Sequence, residues 1–218
     1  MKKERIGILG GTFNPIHAGH VKAAVEVQRI FSLDKVLLIP SYIPPHKETP
    51  DIAPPHCRLH MVKLAVASYP RFIPSSVEID AKGRSYSVLT LSKLKRRYPD
   101  ALMFFILGMD AFLEIRTWRD YKKVLEQCHF IVISRPGYDL EDAKNVLGEE
   151  YADRIIRVSN SPKLDPNLLQ DAKIFLLSIP SLDVASKGIR KKIKKGESIS
   201  GLVDKSVEEY IRSNALYL

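Results

Sequence analysis

The segment with the clearest chemical content is Gly-Gly-Thr-Phe-Asn-Pro-Ile-His-Ala-Gly-His, residues 10–20. It follows an apolar run at 6–9 and precedes a helical pattern, which predicts a turn between a strand and a helix. The two glycines let a ligand approach the backbone closely, and a helix start presents free N–H groups. His17 and His20 add two donors that can also carry positive charge. These residue types predict a polyphosphate site, and we name residues 10–20 the signature turn.

The signature turn differs from two widespread phosphate-binding patterns. A Walker-type loop ends in Gly-Lys-Ser/Thr, and the dinucleotide fingerprint reads Gly-x-Gly-x-x-Gly. Neither pattern occurs in residues 10–20. A metal site at His17 and His20 is disfavoured because no third ligand stands nearby in the sequence. We therefore interpret both histidines as phosphate contacts rather than as structural or metal-binding residues.

Three other segments carry polar groups that could join this site, and each also has a structural explanation. Gly108 and Asp110 follow an apolar run, where Asp110 could accept from ribose hydroxyls or cap the next helix. His46 and Lys47 lie in a proline-rich segment at 40–55. They could hold a phosphate group, or they could be solvated side chains. The third segment lies at a predicted helix start. Ser186 there is either the N-cap or, together with Arg190, part of a second phosphate site.

For several aromatic and basic residues elsewhere, the sequence allows either a structural role or a role in the site. Trp118 is the single tryptophan and is either core or a flat wall for an aromatic ring. Arg58 is a candidate anion contact on a predicted helix. His56 and His60 share one face of that helix, but no further zinc ligands are placed by the sequence, so we interpret them as surface or packing residues.

Composition limits the class of protein. The 218 residues are 45% hydrophobic and 27% charged, which is typical of one globular domain, or one domain with a small appendage. No apolar run approaches the roughly 20 residues that span a bilayer, and we expect no cleavable leader. We therefore expect no membrane partner. Cys57 and Cys128 lie outside any Cys-x-x-Cys pattern, which favours a reduced, cytoplasmic location.

The formal net charge of +9 is compatible with nucleic acid, an acidic membrane surface or a polyanionic small substrate. Basic residues cluster at 93–97 and 190–195, and both clusters lie in amphipathic helical patterns. Such runs are usually solvated helix faces, and aromatic residues that would stack on single-stranded bases are absent from them. We therefore expect no nucleic-acid partner.

Strand-like runs alternate with helical patterns along the chain. Strands are predicted at 5–9, 35–40, 72–79, 102–107, 129–134, 155–158 and 173–177, and helices at 19–31, 55–68, 87–98, 186–195 and 204–214. Continuous apolar runs such as 36–39 and 104–107 are typical of strands buried on both faces of a parallel sheet. The pattern predicts an α/β fold with a Rossmann-like, doubly wound, mainly parallel sheet. We expect one domain over 1–218, with a helical part from about 184.

These segments together resemble the bacterial nicotinate-nucleotide adenylyltransferases, within the wider nucleotidyltransferase superfamily. The His-x-Gly-His element alone would identify only the superfamily, which includes pantetheine-phosphate adenylyltransferases and cytidylyltransferases. The motifs that carry the resemblance are colinear and cover nearly the whole chain: residues 10–20, Pro44-Pro45-His46-Lys47, Arg58 and Met61, Ser85-Tyr86-Ser87 with Thr90-Leu91, Gly108-x-Asp110, Trp118, Arg135-Pro136-Gly137 and Ile189-Arg190.

The resemblance implies transfer of AMP from ATP to nicotinate mononucleotide, with release of pyrophosphate and with Mg²⁺ bound through the substrate phosphates. It implies that His17 and His20 are catalytic and that His20 neutralises charge at the transferred phosphorus. The implied ATP-binding residues are Gly10, Gly11, Thr12, Phe13, His17, His20, Gly108, Asp110, Ser186, Ile189 and Arg190. The implied mononucleotide-binding residues are Asn14, His46, Lys47, Ser85, Tyr86, Trp118 and Arg135.

Two departures from the family pattern are present. Asn14 stands where the family usually has Asp, which keeps a hydrogen-bonding side chain and removes a charge. Residues 184–190 keep one of the three hydroxyls of the family's Ile-Ser-Ser-Thr-x-Ile-Arg, with Lys187 in place of the threonine. We expect the affinity for ATP to be the property in which this chain differs most from its relatives.

Other functions stay open on the sequence. Within the superfamily, the acceptor could be nicotinamide mononucleotide or phosphopantetheine, which a substrate panel would separate. A non-catalytic nucleic-acid binder would instead show tight, steeply salt-dependent binding to oligonucleotides. The oligomeric state is not specified, and a homo-oligomer is compatible with the sequence.

Overall fold

The fold is organised around one parallel sheet. A computed structural model of the chain describes residues 3–45, 51–134, 142–158, 166–179 and 184–218. Within them, seven strands pair side by side and every pair is parallel. In chain order they are β1 (Arg5–Gly11), β2 (Lys35–Pro40), β3 (Phe72–Pro74), β4 (Leu102–Gly108), β5 (His129–Ile133), β6 (Ile155–Val158) and β7 (Ile174–Leu177).

Among the described residues, helices connect most of the strands, and two further helices follow the last strand. The α-helices of the described ranges are α1 (Ala18–Ile30), α2 (Pro55–Ala65), α3 (Ser87–Arg97), α4 (Met109–Leu113), α5 (Tyr121–Gln127), α6 (Asp142–Leu147), α7 (Ser186–Lys194) and α8 (Lys205–Ser213). Short 3₁₀ turns lie at Ile115–Thr117, Glu149–Arg154 and Pro166–Leu169. None of the described helices is long and apolar enough to cross a membrane.

The order of strands places a crevice beside β1. The order is β3-β2-β1-β4-β5-β7-β6, so the chain winds outward from β1 to β3 and then returns to β4 on the other side of β1. In such sheets, ligands bind outside the carboxyl ends of the strands where the winding reverses. Leu9 pairs with Ile106, and Gly11 pairs with Pro40. The segments that follow β1, β2 and β4 therefore meet at one edge of the sheet.

Helices cover both faces of the sheet, which confirms the predicted doubly wound, Rossmann-like α/β fold. One face packs against α1, α2, α7 and α8, whose buried contacts include Ile30, Met61, Ile189 and Ile211. The other face packs against α3 to α6, whose buried contacts include Leu91, Phe112, Leu125 and Leu147. Because both faces are buried, the central strands are almost continuously apolar, as the sequence indicated.

All seven predicted strands are present, and the third is shorter than predicted. It ends at Pro74 instead of residue 79, because the chain then folds into a turn. The Asp80 N–H donates to the Ser76 carbonyl, and the Ser76 hydroxyl donates to the Asp80 carboxylate at 2.7 Å. The sequence analysis considered α4 only as the helix that Asp110 could cap, and it missed α5 and α6. These three helices have five to seven residues and are too short to show a clear helical period.

A buried histidine in β5 predicts how stability changes with pH. His129 is 5% exposed, stacks on Phe104, and its Nδ1 accepts from the Lys173 N–H at 3.2 Å. Burial, helped by the positive charge of Lys173, lowers the pKa of His129 to about 4. The unfolded chain, with a pKa near 6.5, takes up its proton first as the pH falls. Stability is therefore complete above about pH 6.5 and decreases by about 3 kcal/mol down to about pH 4.

This pH dependence is measured by urea unfolding of the wild type and of His129→Gln at several pH values. The variant keeps a hydrogen-bond acceptor but does not titrate, so we expect its stability to fall less over this range. His60→Gln, which changes an exposed histidine on α2, is the matched control and keeps the wild-type slope. An unchanged slope in His129→Gln would contradict the assignment.

Candidate active site

The signature turn connects β1 to α1 through one residue with an unusual backbone. Phe13 has φ 47°, a left-handed conformation that side-chain-bearing residues rarely adopt, whereas Gly10 and Gly11 have no positive φ. The Phe13 ring is 2% exposed and meets the His20 ring edge-on, with centroids 5.1 Å apart. Gly11 lies against this ring, and an added Cβ would lie 3.4 Å from Phe13 Cζ, an ordinary van der Waals contact. The buried aromatic ring thus fixes the shape of the turn.

The two histidines of the turn form a pair at the start of α1. His17 is the N-cap, with extended backbone, and its N–H donates to His20 Nδ1 at 3.3 Å. The two ring centroids lie 3.7 Å apart. Because His20 Nδ1 is an acceptor, the neutral ring of His20 carries its proton on Nε2. The backbone thereby selects a tautomer in which Nε2 is a hydrogen-bond donor.

Gly19 explains the spacing of the His-x-Gly-His element. An added Cβ at this position would lie 3.1 Å from His17 Nδ1 and 3.2 Å from His17 Cε1. These separations are shorter than ordinary van der Waals contact, so any side chain would displace the His17 ring. A glycine between the histidines therefore allows their rings to lie together on the first turn of α1.

Arg58 of α2 is an internal anchor and does not fit the anion contact considered from the sequence. Its side chain is fully buried, and burial lowers the pKa of the guanidinium. Nε donates to the Ala53 carbonyl at 2.8 Å, Nη1 to the Thr12 carbonyl at 2.7 Å, and Nη2 to the Tyr42 carbonyl at 3.1 Å. The arginine therefore ties the signature turn to two points of the segment that follows β2.

The side chain of Asn14 is engaged within the protein. It is 4% exposed, its Nδ2 donates to the Asp51 carbonyl at 2.8 Å, and its Oδ1 accepts from the Ala53 N–H at 3.0 Å. Both ends of the amide are therefore used to hold the chain just before α2. The contact with a mononucleotide, expected from the resemblance, stays a prediction.

The start of α7 lies against the signature turn. The Ser186 hydroxyl donates to the Pro15 carbonyl at 2.9 Å, and Arg190 Nη1 donates to the Asn14 carbonyl at 2.9 Å. The N-cap of α7 is Ala185, and Ser186 is the first residue of the helix. The alternative of a serine N-cap is therefore wrong. Arg190 Nε is buried and has no hydrogen-bond partner among the described residues. Ile189, 1% exposed, anchors the helix in the core.

Gly108 and Asp110 lie at the carboxyl end of β4, which is the neighbour of β1. Gly108 ends the strand and is the N-cap of α4, and Asp110 stands in the first helical turn. Asp110 is half-buried and does not cap the helix, because that position belongs to Gly108. The pair therefore faces the edge of the sheet where the signature turn begins, as the sequence predicted from the strand end.

A small aromatic pocket lies on the α3 side of this edge. Its volume is about 100 Å³, and its lining residues are Pro45, Ser85, Tyr86, Ser87, Trp118 and Arg119. Trp118 is partly buried, with its ring edge-on to Phe105 at 6.0 Å. The Arg119 guanidinium lies 5.0 Å from the centre of the Tyr86 ring. A flat apolar wall next to a cation suits an aromatic ring that carries a negative group.

Ser85 joins this pocket to the segment after β2. Its Oγ accepts from the Tyr42 N–H at 2.8 Å and is also hydrogen-bonded to the Glu78 carboxylate. Burial raises the pKa of Glu78, while the hydrogen bonds from Thr90, at 2.6 Å, and from Ser85 oppose the shift. The Ile43 carbonyl accepts from the Ser85 N–H at 2.9 Å. The segment after β2 is therefore fixed to the pocket at two successive residues.

Three predicted site residues lie outside the described residues, and their roles stay predictions: His46, Lys47 and Arg135. Other residues of this edge were missed by sequence reasoning, namely Tyr42, Ala53, Glu78 and Arg119. For Arg119 a signal existed, since it directly follows Trp118. Ala53 acts only through its backbone, so no sequence pattern marks it.

The chain matches known proteins over its full length. The family model described as cytidylyltransferase-like matches residues 8–194. A protein of Desulfatibacillum aliphaticivorans, named probable nicotinate-nucleotide adenylyltransferase, is 43% identical over 98% of this chain and 100% of its own length. A protein of Shewanella frigidimarina with the same name is 38% identical over 98% of this chain and 99% of its own length. The chain belongs to the nicotinate-nucleotide adenylyltransferase family.

Solved structures agree with this family on the fold. The Plasmodium falciparum nicotinic acid mononucleotide adenylyltransferase, complexed with NaAD, has a TM-score of 0.72 at 19% identity, covering 98% of this chain and 97% of its own. A structure from Vibrio parahaemolyticus, described as a putative nicotinate-nucleotide adenylyltransferase, has a TM-score of 0.61 at 18% identity, covering 98% and 95%. As a nucleotidyltransferase of this family, the chain is an enzyme with a nucleotide-binding, Rossmann-like fold.

Proposed function

We propose that this protein transfers the adenylyl group of ATP to nicotinate mononucleotide, which forms nicotinate adenine dinucleotide and pyrophosphate for NAD synthesis. The observation that carries the proposal is the histidine pair at the start of α1, beside the crevice where the winding of the sheet reverses. It places the His20 Nε2 donor on the first turn of α1. Membership of the nicotinate-nucleotide adenylyltransferase family supports the same reaction.

The chemistry needs no covalent intermediate with the protein. A phosphate oxygen of the mononucleotide attacks the α-phosphorus of ATP, and the bond from that phosphorus to the bridging oxygen breaks, so that pyrophosphate leaves with the electron pair. The attacking group is already an anion, so the protein must align two substrates and offset negative charge. The His20 Nε2–H donor suits the phosphate oxygens around the transferred phosphorus, and His17 supports the His20 ring.

The ATP half of the site is proposed to comprise the signature turn, Gly108, Asp110 and the start of α7. Arg190 supports this assignment, because its buried Nε lacks a partner within the described ranges and could donate to a phosphate oxygen. Ser186 and the Nη1 of Arg190 donate to backbone carbonyls of the turn, so their proposed effect on the triphosphate is partly through the shape of the turn. Both segments belong to one proposed catalytic domain, since α7 packs on the same sheet face as α1.

The mononucleotide half is proposed to comprise the small aromatic pocket, with His46, Lys47 and Arg135 as phosphate contacts. Trp118 and Tyr86 supply the flat surface for a pyridine ring. Arg119 lies at the same pocket and favours a ring carboxylate over a neutral amide. This charge supports the acid rather than the amide mononucleotide as substrate.

Mg²⁺ enters this proposal as an ion carried by the substrate phosphates. No cluster of three or more His, Cys, Asp or Glu side chains able to hold a metal occurs in the part of the chain that the structure describes. Phosphate oxygens are preferred ligands of Mg²⁺, whereas the histidine nitrogens of the signature turn suit phosphate contact. When bound, the ion would offset negative charge on the polyphosphate.

A parallel assay with the acid and the amide mononucleotide tests the proposal. We expect pyrophosphate release from ATP only when a mononucleotide is present, and at least tenfold higher kcat/KM for the acid, about 1.4 kcal/mol. Arg119→Gln is expected to lower the ratio of acid to amide kcat/KM severalfold, because it removes the cation from the pocket. The effect is limited, since the Arg119 side chain is 56% exposed and lies 3.8 Å from the Asp120 carboxylate.

The control for this assay is Arg116→Gln, an exposed arginine of the adjacent 3₁₀ turn that does not line the pocket. It is expected to keep the wild-type ratio. A wild-type preference of tenfold or more for the amide would overturn the proposed substrate. An unchanged ratio in Arg119→Gln would leave the reaction in place and remove Arg119 from its specificity.

A further inference from the structure

The Asn14 side chain connects two backbone groups that are distant in sequence. Its Nδ2 donates to the carbonyl of Asp51, 37 residues away, and its Oδ1 accepts from the N–H of Ala53, 39 residues away. With 4% exposure, the amide is shielded from water, and loss of its bond to Ala53 would leave a buried backbone N–H without its partner. A carboxylate could accept from Ala53 but could not donate to Asp51. The amide is therefore matched to both partners.

Asn14 and Arg58 together connect the signature turn to the segment after β2, and we call this set of hydrogen bonds the tie. Arg58 donates to the carbonyls of Tyr42 and Ala53, and so joins α2 to both described ends of the segment after β2. Its third bond reaches Thr12 of the signature turn. Asn14 then joins the later of these ends, at Asp51 and Ala53, to the same turn. The segment is consequently held at two points by the turn that carries the histidine pair.

The earlier end of the segment also fixes the aromatic pocket. Ser85 Oγ accepts from the Tyr42 N–H, and the Ser85 N–H donates to the Ile43 carbonyl. Pro45 itself lines the pocket. A change in where the segment lies would therefore move the wall of the pocket relative to the signature turn.

We infer that Asn14 is a positioning residue: through Ala53, and through the Arg58 guanidinium that holds both Ala53 and Tyr42, its side chain sets the placement of the aromatic pocket relative to the histidine pair. This inference rests on the proposed function. The contact between Asn14 and α7 is made by the backbone, since the Asn14 carbonyl accepts from Arg190. Substitution of the side chain leaves that carbonyl in place, so the two substrates should respond differently.

Steady-state kinetics of Asn14→Ala and Asn14→Asp test this inference. We expect KM for nicotinate mononucleotide to rise about tenfold in Asn14→Ala, with KM for ATP within twofold of the wild type. Asn14→Asp keeps the acceptor for Ala53 and is expected to rescue most of the loss, with a two- to threefold rise. Hydrogen exchange at the Ala53 amide should be faster in Asn14→Ala and close to wild type in Asn14→Asp.

A matched control removes a surface contact of Asp51 instead of its contact with Asn14. Lys194 of α7 makes an exposed ion pair with the Asp51 carboxylate at 2.9 Å, and this pair lowers the pKa of Asp51. Exposed pairs contribute little, so Lys194→Ala is expected to keep both KM values within twofold. The contrast separates the buried amide from a surface contact with the same residue.

Several outcomes would overturn the inference. An equal rise in KM for ATP would show that Asn14 acts on the whole turn, and unchanged kinetics with faster exchange at Ala53 would show that the tie does not reach the substrate. Loss of folding in both variants would assign Asn14 to stability alone. If the wild type fails to use nicotinate mononucleotide at all, the proposed function fails, while the exchange result still reports on the tie.

Discussion

Substitution of His20 by alanine is expected to lower kcat for adenylyl transfer by about 10²- to 10³-fold, the usual cost of removing one donor to developing charge. The structure gives His20 a fixed tautomer, since its Nδ1 accepts from the His17 N–H. In this tautomer the proton is on Nε2, which we propose as the donor to a phosphate oxygen. Initial rates of pyrophosphate release at saturating ATP and mononucleotide measure the effect.

A second substitution separates the chemical role of His20 from its structural role. Asn in place of His20 offers an acceptor for the His17 N–H and lacks the donor at the Nε2 position. We expect His20→Asn to be as slow as His20→Ala while its unfolding free energy stays close to that of the wild type. His60→Ala, an exposed histidine whose ring lies 4.5 Å from that of Tyr210 on α8, should retain full activity. Intact transfer in His20→Ala would make the assignment of the signature turn wrong.

Replacement of Arg58 by methionine is expected to lower the free energy of unfolding by about 3–5 kcal/mol. Methionine fills a similar space but donates no hydrogen bonds, so the carbonyls of Thr12, Tyr42 and Ala53 lose a charged partner. An unpaired buried carbonyl, as at Ala53, costs about 1–3 kcal/mol, and the partly buried carbonyls of Thr12 and Tyr42 cost less. Urea unfolding monitored by fluorescence of Trp118 measures the change.

Two other arginine substitutions sharpen this prediction. Arg58→Lys keeps the charge but cannot direct donors to three carbonyls at once, so we expect an intermediate loss of stability. Arg71→Met changes an arginine that is exposed before β3, and it should shift the unfolding free energy by no more than about 0.5 kcal/mol. If Arg58→Met and Arg71→Met were equally stable, the three hydrogen bonds would not be contributing as the geometry indicates.

The sequence was sufficient to predict the strands, because each central strand is buried on both faces and is therefore apolar along its length. It also predicted which segments meet, since parallel strands end at one edge of the sheet. The signature turn was placed correctly between β1 and α1. Hydrophobic periodicity and motif spacing are local properties of the sequence, so these features can be predicted without the contacts of distant segments.

The use of individual side chains could not be predicted in the same way. Asn14 and Arg58 were expected near ligands, yet their polar atoms bind backbone groups of distant segments. Such partners depend on where loops finally lie, and a carbonyl has no residue type that a pattern could reveal. Likewise, Phe13 rather than a glycine adopts the left-handed backbone, because its ring has a buried place beside His20.

The contact between the start of α7 and the signature turn has a consequence for biosynthesis of the enzyme. Ser186 bonds to Pro15 across 171 residues, and Arg190 bonds to Asn14 across 176 residues. Contacts so distant in sequence form late, because the intervening chain must be ordered before they become favourable. A nascent chain on the ribosome can therefore fold β1, α1 and β2 early, but the contact between α7 and the signature turn forms only after residue 190 has emerged.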